Sequence, residues 1–225
     1  MRRVRPARYL LCQKLTNCPF NRVLVTGNAL RPVAETASNR VAASKSLGQH
    51  ARVTWTAPEV TRTDPPNVAD ERAALQGWLD FHRATLRWKC AGLTGEQLVR
   101  RPVASSTLSL LGLVRHMAEV ERAWFLERFA GQSDLAELFC TEDYPDGDLD
   151  LTDAANAAED FARYIAECAA ADDAARGHLL DETFTRSNGV TQDLRWIYLH
   201  MIEEYARHNG HADLIRELID GATGD

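Results

Sequence analysis

Apolar residues recur at three- and four-residue steps in four separate stretches of the chain, which is the spacing of side chains along one face of an α-helix. The first stretch follows the double proline of "RTDPPN" (62–67), and the others cover about residues 109–129, 153–170 and 192–219. We expect Asn67 to cap the first helix, and Gly131 and Gly221 to end the second and the fourth. Valine, isoleucine and threonine do not cluster in the alternating pattern of strands. The pattern therefore predicts an all-α protein, a four-helix bundle without strands.

Each predicted helix has a stripe of residues that should face the core of the bundle. In the first helix the stripe is Leu75, Trp78, Leu79, His82 and Leu86. In the second it is Leu110, Leu113, Val114, Met117, Val120 and Trp124. In the third it is Phe161, Ile165 and Cys168, and in the fourth it is Leu194, Ile197, Met201, Ala212, Ile215 and Ile219. Glu121 also falls within the second stripe, where it could pair with Arg115 or Arg122.

The fourth helix is unusually polar, because "HMIEEYARHNGHAD" (200–213) contains three of the seven histidines of the chain. At 100° per residue, Glu204 and His208 fall inside or beside the core-facing stripe, and His200 and His211 lie along its flank. A carboxylate that faces a core is costly unless it is paired, hydrogen-bonded or bound to a metal. A glutamate and a histidine one turn apart, both directed inward, are a common way to build a metal site in a bundle.

The second helix offers a third ligand, since His116 in "LVRHMAEVERAWF" (113–125) lies at the edge of the apolar stripe. Together with Glu204 and His208 it would provide two imidazoles and one carboxylate, and would leave positions open for water or substrate. Such an open set is typical of catalytic zinc and of other divalent metals. The residues alone also allow a simpler interpretation, in which His116 is a hydrogen-bonded core histidine and the other two form a buried ion pair.

Charge divides the chain into two parts. Residues 1–58 contain ten Lys/Arg and one acid, Glu35, whereas residues 59–225 contain 16 basic and 31 acidic residues. We interpret residues 1–57 as a basic, disordered leader, with a targeting or nucleic-acid-binding arm as the alternative, and residues 58–225 as the bundle. The net charge of −6 argues against a general nucleic-acid binder, and no apolar run is long enough to span a membrane. Five scattered cysteines without a CxxC pair favour reduced thiols in the cytoplasm.

The segment "LRWIYLHMIEEYARHNGHADLIRELIDG" (194–221), together with "LVRHMAEVERAWF", resembles the DinB-like superfamily. In particular, it resembles the uncharacterised branch that is related to mycothiol-dependent maleylpyruvate isomerase. The resemblance covers roughly residues 58–225 and implies an up-down-down-up bundle with a divalent metal between helices. It implies that His116, Glu204 and His208 are the ligands. Many relatives also have a histidine at the position of His200, which implies that it supports a ligand or contacts the substrate. For His211 two interpretations stay open, one in which it orients a ligand and one in which it faces solvent, and either histidine is a candidate proton shuttle.

The resemblance implies a function as well. Several members of the superfamily use a divalent metal to activate a low-molecular-weight thiol such as mycothiol, so we expect a cytoplasmic S-transferase or isomerase with a small-molecule substrate. Zn²⁺ is the expected metal, although Ni²⁺ or Fe²⁺ suits the same ligands. Related bundles often dimerise, so a homodimer is also expected. Two alternatives stay open: a non-catalytic, stress-associated metal-binding protein and a metal-dependent hydrolase.

Overall fold

The computed structural model describes residues 54–224. Its four long helices are α1 (Glu71–Cys90), α2 (Leu110–Glu121), α3 (Ala157–Ala175) and α4 (Leu194–Asp220). The predicted all-α bundle is confirmed. Shorter turns of helix, Gly95–Leu98, Gly147–Asp150 and Ala154–Asn156, lie in the connections between the long helices. The first 53 residues of the predicted leader lie outside the described part of the chain, whereas residues 55–57 belong to the same compact unit as the bundle.

Contacts between helix ends show how the four helices are directed. At the start of α4, Arg195 binds Glu71 at the start of α1, and near the other end Arg216 donates to the Lys89 carbonyl at 3.0 Å. The two helices therefore run parallel. Arg122 of the second helix binds Glu167 of α3, and Arg115 binds Asp160 of α3, so α2 and α3 are also parallel.

The second and fourth helices run in opposite directions. The ring of His116 lies 4.8 Å from the ring of His208. The ring of Trp124, two turns later in the helical segment that continues α2, lies 4.6 Å from that of His200. Later residues of the second helix thus contact earlier residues of the fourth, so the two helices are antiparallel. The order is up, down, down, up, which confirms the arrangement implied by the superfamily resemblance.

The predicted core stripes hold for α2 and α4, whose stripe residues are all buried. In the other two helices the stripe is rotated slightly. Ile165 was expected in the core but is 43% exposed, and Tyr164 is fully buried in its place. Trp78 is 48% exposed beside the fully buried Leu79. Both errors come from large apolar residues next to the stripe, which periodicity alone cannot assign to one side.

Short polar side chains set the helix ends. Asn67 is not the cap of α1, because the helix begins later, where Asp70 accepts a hydrogen bond from the Ala73 amide. Beyond Glu121, the expected α-helix continues as a π-helix, Arg122–Phe129. The predicted end of α4 is confirmed, because Gly221 adopts the left-handed conformation with φ of 79°.

A small hairpin precedes α4, and the prediction that the chain lacks strands is wrong. Strands β1 (Thr183–Thr185) and β2 (Thr191–Asp193) pair antiparallel around the turn "RSNGV" (186–190). Each strand has only three residues, which is too short for an alternating pattern to stand out. At the end of the hairpin, Asp193 caps α4 by accepting from the Trp196 amide at 2.7 Å.

The packed chain begins before residue 58. The Trp55 ring meets Phe161 of α3 edge-on, with ring centroids 5.5 Å apart. The Ala57 amide donates to the Leu93 carbonyl at 2.9 Å, and Ala57 is only 2% exposed. Within residues 54–224, no helix combines the length and the apolar character needed to cross a bilayer.

Candidate metal centre

The three residues proposed as ligands from the sequence meet where α2 crosses α4. One possible ligand atom from each of His116, Glu204 and His208 lies within 4.8 Å of the other two. His116 and Glu204 are buried, and the side chain of His208 is 14% exposed. The cluster therefore lies just below the surface, with His208 on the solvent side.

The carboxylate of Glu204 faces two imidazoles at once. Its Oε2 lies 3.5 Å from Nε2 of His208, one turn later in α4. Its Oε1 lies 3.6 Å from Nε2 of His200, one turn earlier. Because residues four apart share a helix face, the run 200–204–208 aligns these three side chains along the edge of α4. The potential ligand atoms of His200, Glu203 and Glu204 also lie within 4.8 Å of one another, although the Glu203 side chain is 54% exposed and bound to Arg207.

Asp148 orients His116, and sequence reasoning missed it. Its Oδ2 accepts a hydrogen bond from Nδ1 of His116 at 2.8 Å, and the carboxylate is buried. In the neutral imidazole this bond places the proton on Nδ1 and leaves Nε2 of His116 as the nitrogen with a free lone pair. The loop that carries Asp148 has five acidic residues between 142 and 150, and nothing in their spacing distinguishes this one.

Arg115 holds that loop against the bundle. Its buried guanidinium donates to the carbonyls of Asp148 and Gly147 at 3.0 and 2.9 Å, and it pairs with Asp160 of α3 at 3.1 Å. The residue directly before His116 thus places the carboxylate that orients His116. Helix α2 therefore provides both the histidine and the arginine that holds its carboxylate partner in place.

Histidines flank the cluster on the solvent side. Nδ1 of His211 lies 3.4 Å from Nδ1 of His208, on the side of that ring away from Glu204. His200 lies between two tryptophans, stacked on Trp196 at 4.8 Å and edge-on to Trp124 at 4.6 Å. The structure therefore brings both flanking histidines next to the three central side chains.

The protonation states follow from burial and from these contacts. Burial raises the pKa of Glu204, but hydrogen bonding to His208 and the nearby imidazoles outweigh it, so the pKa is lowered overall and the carboxylate is ionised at neutral pH. Burial lowers the pKa of His208, and the hydrogen bond with Glu204, which raises it, does not outweigh this effect. Burial likewise lowers the pKa of His200. The cluster thus presents an anionic oxygen and neutral imidazole at pH 7, which are the states that bind metals.

A buried polar network lies on the core side of the cluster. Glu121 is fully buried and accepts two hydrogen bonds from Arg83 of α1, each of 2.7 Å. Tyr205, next to Glu204, donates to the same carboxylate at 2.7 Å. The predicted partners Arg115 and Arg122 are wrong, since both bind carboxylates of α3. The prediction considered only arginines on the same helix as Glu121, whereas the actual partner lies on α1.

The cysteines of the described residues stand apart from the cluster. Cys90, Cys140 and Cys168 are free thiols, and none belongs to a group of potential ligands within residues 54–224. Burial raises the pKa of Cys90 to about 12, which keeps the thiol protonated and unreactive.

Comparison with known proteins gives one family. No curated protein matches the chain. The profile of a family described as mycothiol-S-transferase matches residues 74–221, a segment that contains His116, Asp148, Glu204 and His208 and most of the bundle. This match confirms the resemblance to the DinB-like superfamily and its mycothiol-related enzymes. On the strength of the match, which covers well over half of its length, the chain belongs to the mycothiol-S-transferase family.

Proposed function

We propose that this protein is a divalent-metal-dependent transferase that joins the sulfur of mycothiol to a small electrophilic substrate, with His116, Glu204 and His208 holding the metal. The observation that carries the proposal is the convergence of these three side chains, from two antiparallel helices, within 4.8 Å of one another. Family membership supports the thiol and the transfer reaction.

The donor set fits such an ion. Three protein ligands with mixed nitrogen and oxygen donors are typical of catalytic sites, which keep a coordination position open. The hydrogen bond from His116 to Asp148 is the carboxylate–histidine pairing that commonly supports a metal ligand. Zn²⁺ is our first choice, and Ni²⁺ or Fe²⁺ is compatible with the same donors.

A divalent ion at this position would lower the pKa of a thiol and so supply thiolate near neutral pH. The residues around it have separate tasks. Glu204 and His208 would bind the ion together with His116. Asp148 orients His116, and His211 orients His208 through the 3.4 Å contact between their Nδ1 atoms. His200 is neutral at pH 7 because burial lowers its pKa, so it can accept the proton that the thiol loses.

The reaction then balances simply. A bond forms between the mycothiol sulfur and the electrophilic carbon, and the thiol proton passes to a base. In a substitution the leaving group departs with its bonding electrons. In an addition to an activated double bond, the adjacent carbon takes up a proton instead.

Conjugation kinetics test the proposal. Purified protein, loaded with Zn²⁺, is mixed with mycothiol and a chromogenic electrophile such as 1-chloro-2,4-dinitrobenzene, and thioether formation is followed by absorbance. We expect His208→Ala to lower the rate by about 100-fold or more, because a direct metal ligand should matter at least as much as the residues that orient ligands. The matched control is His178→Ala, which removes an exposed histidine outside the cluster and should leave the rate unchanged.

Other outcomes would contradict the proposal in distinct ways. Equal rates for wild type and His208→Ala would exclude the cluster as the catalytic centre. Turnover of an ester or amide without thiol would favour the metal-dependent hydrolase. Tight binding of metal without any turnover, with or without thiol, would favour the non-catalytic metal-binding protein.

A further inference from the structure

An aromatic surface extends from the cluster along the contact between α2 and α4. Trp196 stacks on His200 with an angle of 20° between the rings, and both lie against Trp124. Trp124 is 4% exposed, whereas Trp196 is 38% exposed. An indole face that is partly open to solvent and supported by a second ring is a suitable platform for a flat ligand.

Arg128 lies at the far end of this surface. Its guanidinium carbon is 4.2 Å from the centre of the Trp124 ring. Its Nε and Nη1 atoms are buried and have no hydrogen-bond partner within the part of the chain that the structure describes. Buried N–H groups without acceptors are costly, so an anion that accepts from them would regain free energy on binding.

A second guanidinium adds positive charge at the same ring, since that of Arg186, in the hairpin turn, lies 5.4 Å from the Trp124 ring centre. In the described structure, Arg128 forms no salt bridge. The charge pattern favours an anionic ligand group.

The spacing relates this end of the surface to the cluster. Trp196, His200 and Glu204 follow one another at four-residue steps in α4, so about 12 Å along the helix axis separates Trp196 from Glu204. An aromatic ring with a carboxylate and a reactive group at opposite ends is roughly 7 Å long, and a contact of about 3 Å at each end covers the remainder of that distance. An anion near Arg128 would therefore place the rest of such a molecule over Trp196 and His200, with its reactive end toward Glu204.

We propose that this surface, built from Trp124, Trp196, His200 and Arg128, binds the electrophilic substrate and selects flat, conjugated molecules that carry a carboxylate. Arg128 donates to the carboxylate through an N–H group that has no partner among the described residues. Mycothiol has no carboxylate or phosphate, so the anion preference belongs to the second substrate. This inference rests on the proposed function, because the proposed metal site is what places the reactive end of the substrate toward Glu204.

A binding experiment tests the proposal without turnover. The metal-loaded protein is titrated with 4-chloro-3-nitrobenzoate and, separately, with its uncharged methyl ester, and the dissociation constants are measured by calorimetry. We expect wild type to bind the carboxylate at least about tenfold more tightly than the ester. In Arg128→Gln that ratio should fall to about one with ester binding retained, whereas Arg128→Lys should keep only part of the preference.

Two further variants complete the design. Trp196→Ala should weaken binding of both compounds because it removes the stacking surface. Arg176→Gln, which removes an exposed arginine, should leave both constants as in wild type. Folding of each variant is checked by circular dichroism, and Arg128→Lys provides the comparison if Arg128→Gln does not fold.

The outcomes separate the two proposals. Equal binding of acid and ester by wild type, or an unchanged preference in Arg128→Gln, would overturn the carboxylate site whatever the catalytic rate. Selective binding that depends on Arg128, without any conjugation to mycothiol, would leave the carboxylate site in place and overturn the proposed function.

Discussion

Glu121 shows what a single buried charge contributes to this bundle. Its carboxylate has no exposed surface and binds both Arg83 and Tyr205. Removing one partner of a buried ion pair leaves the other charge without compensation in a medium of low polarity. We expect Glu121→Gln to lower the free energy of unfolding by about 3–5 kcal/mol, measured by urea denaturation.

The control for this prediction is a pair that lies in solvent. Asp173 binds Arg176 with both side chains more than two-thirds exposed, so Asp173→Asn should cost less than about 1 kcal/mol. A loss of less than about 1 kcal/mol in Glu121→Gln as well would mean that Asp172, 2.7 Å from Arg83, compensates that charge by itself.

His82 of α1 should make stability depend on pH. Burial lowers the pKa of His82 in the folded protein below its usual value near 6.5. The unfolded chain therefore binds the proton more readily, and the stability contributed by neutral His82 is lost as the pH falls through about 6.5.

We expect the free energy of unfolding of His82→Gln to decline less steeply between pH 7.5 and pH 5.5 than that of wild type, as measured by urea denaturation across that range. Above pH 8 the histidine is neutral in both states, so the two curves should run parallel there. Equal slopes over the whole range would show that burial of His82 has no effect on its protonation.

Some residues of the site can be predicted from the sequence and others cannot. His116, Glu204 and His208 were selected because helical periodicity predicts which side chains face inward, and the structure brings them together. Asp148 could not be selected, because it comes from a loop whose acidic residues are equivalent in sequence. Its role depends on how Arg115 folds that loop back onto α2.

At the scale of elements, periodicity predicted the four helices well and their surroundings less well. A long stripe averages over many residues, so α2 and α4 were assigned correctly even though Arg122–Phe129 is a π-helix. The hairpin before α4 has only three residues in each strand, and α1 begins after Asp70 rather than after the predicted cap Asn67. Short elements are decided by tertiary contacts that no local pattern records.

Two glycines of α4 should respond oppositely to substitution. Gly221 ends the helix with φ of 79°, a conformation that a Cβ disfavours, so Gly221→Ala should lower the free energy of unfolding by about 1 kcal/mol. Gly210 lies within the helix, where an added Cβ would meet no atom within 4 Å, so Gly210→Ala should raise it by up to about 1 kcal/mol. Urea denaturation measures both changes, and the same sign for the two would contradict the assigned end of α4.

At the scale of the whole molecule, the up-down-down-up arrangement is what makes the site. Antiparallel packing of α2 on α4 brings a histidine from one third of the way along the described chain to a pair near its end. The family match, residues 74–221, covers most of this arrangement. The expected homodimer and the cytoplasmic location stay predictions, since they concern surfaces and compartments rather than this packing.

The central claim is that one divalent ion binds between α2 and α4. Crystals of the protein grown with Zn²⁺, measured at the zinc absorption edge, locate the metal by its anomalous scattering. The account predicts one strong peak about 2.0–2.2 Å from a nitrogen of His116, a nitrogen of His208 and an oxygen of Glu204. Density for the three side chains at saturating Zn²⁺ without such a peak between them, or a zinc ion bound only elsewhere, would contradict it.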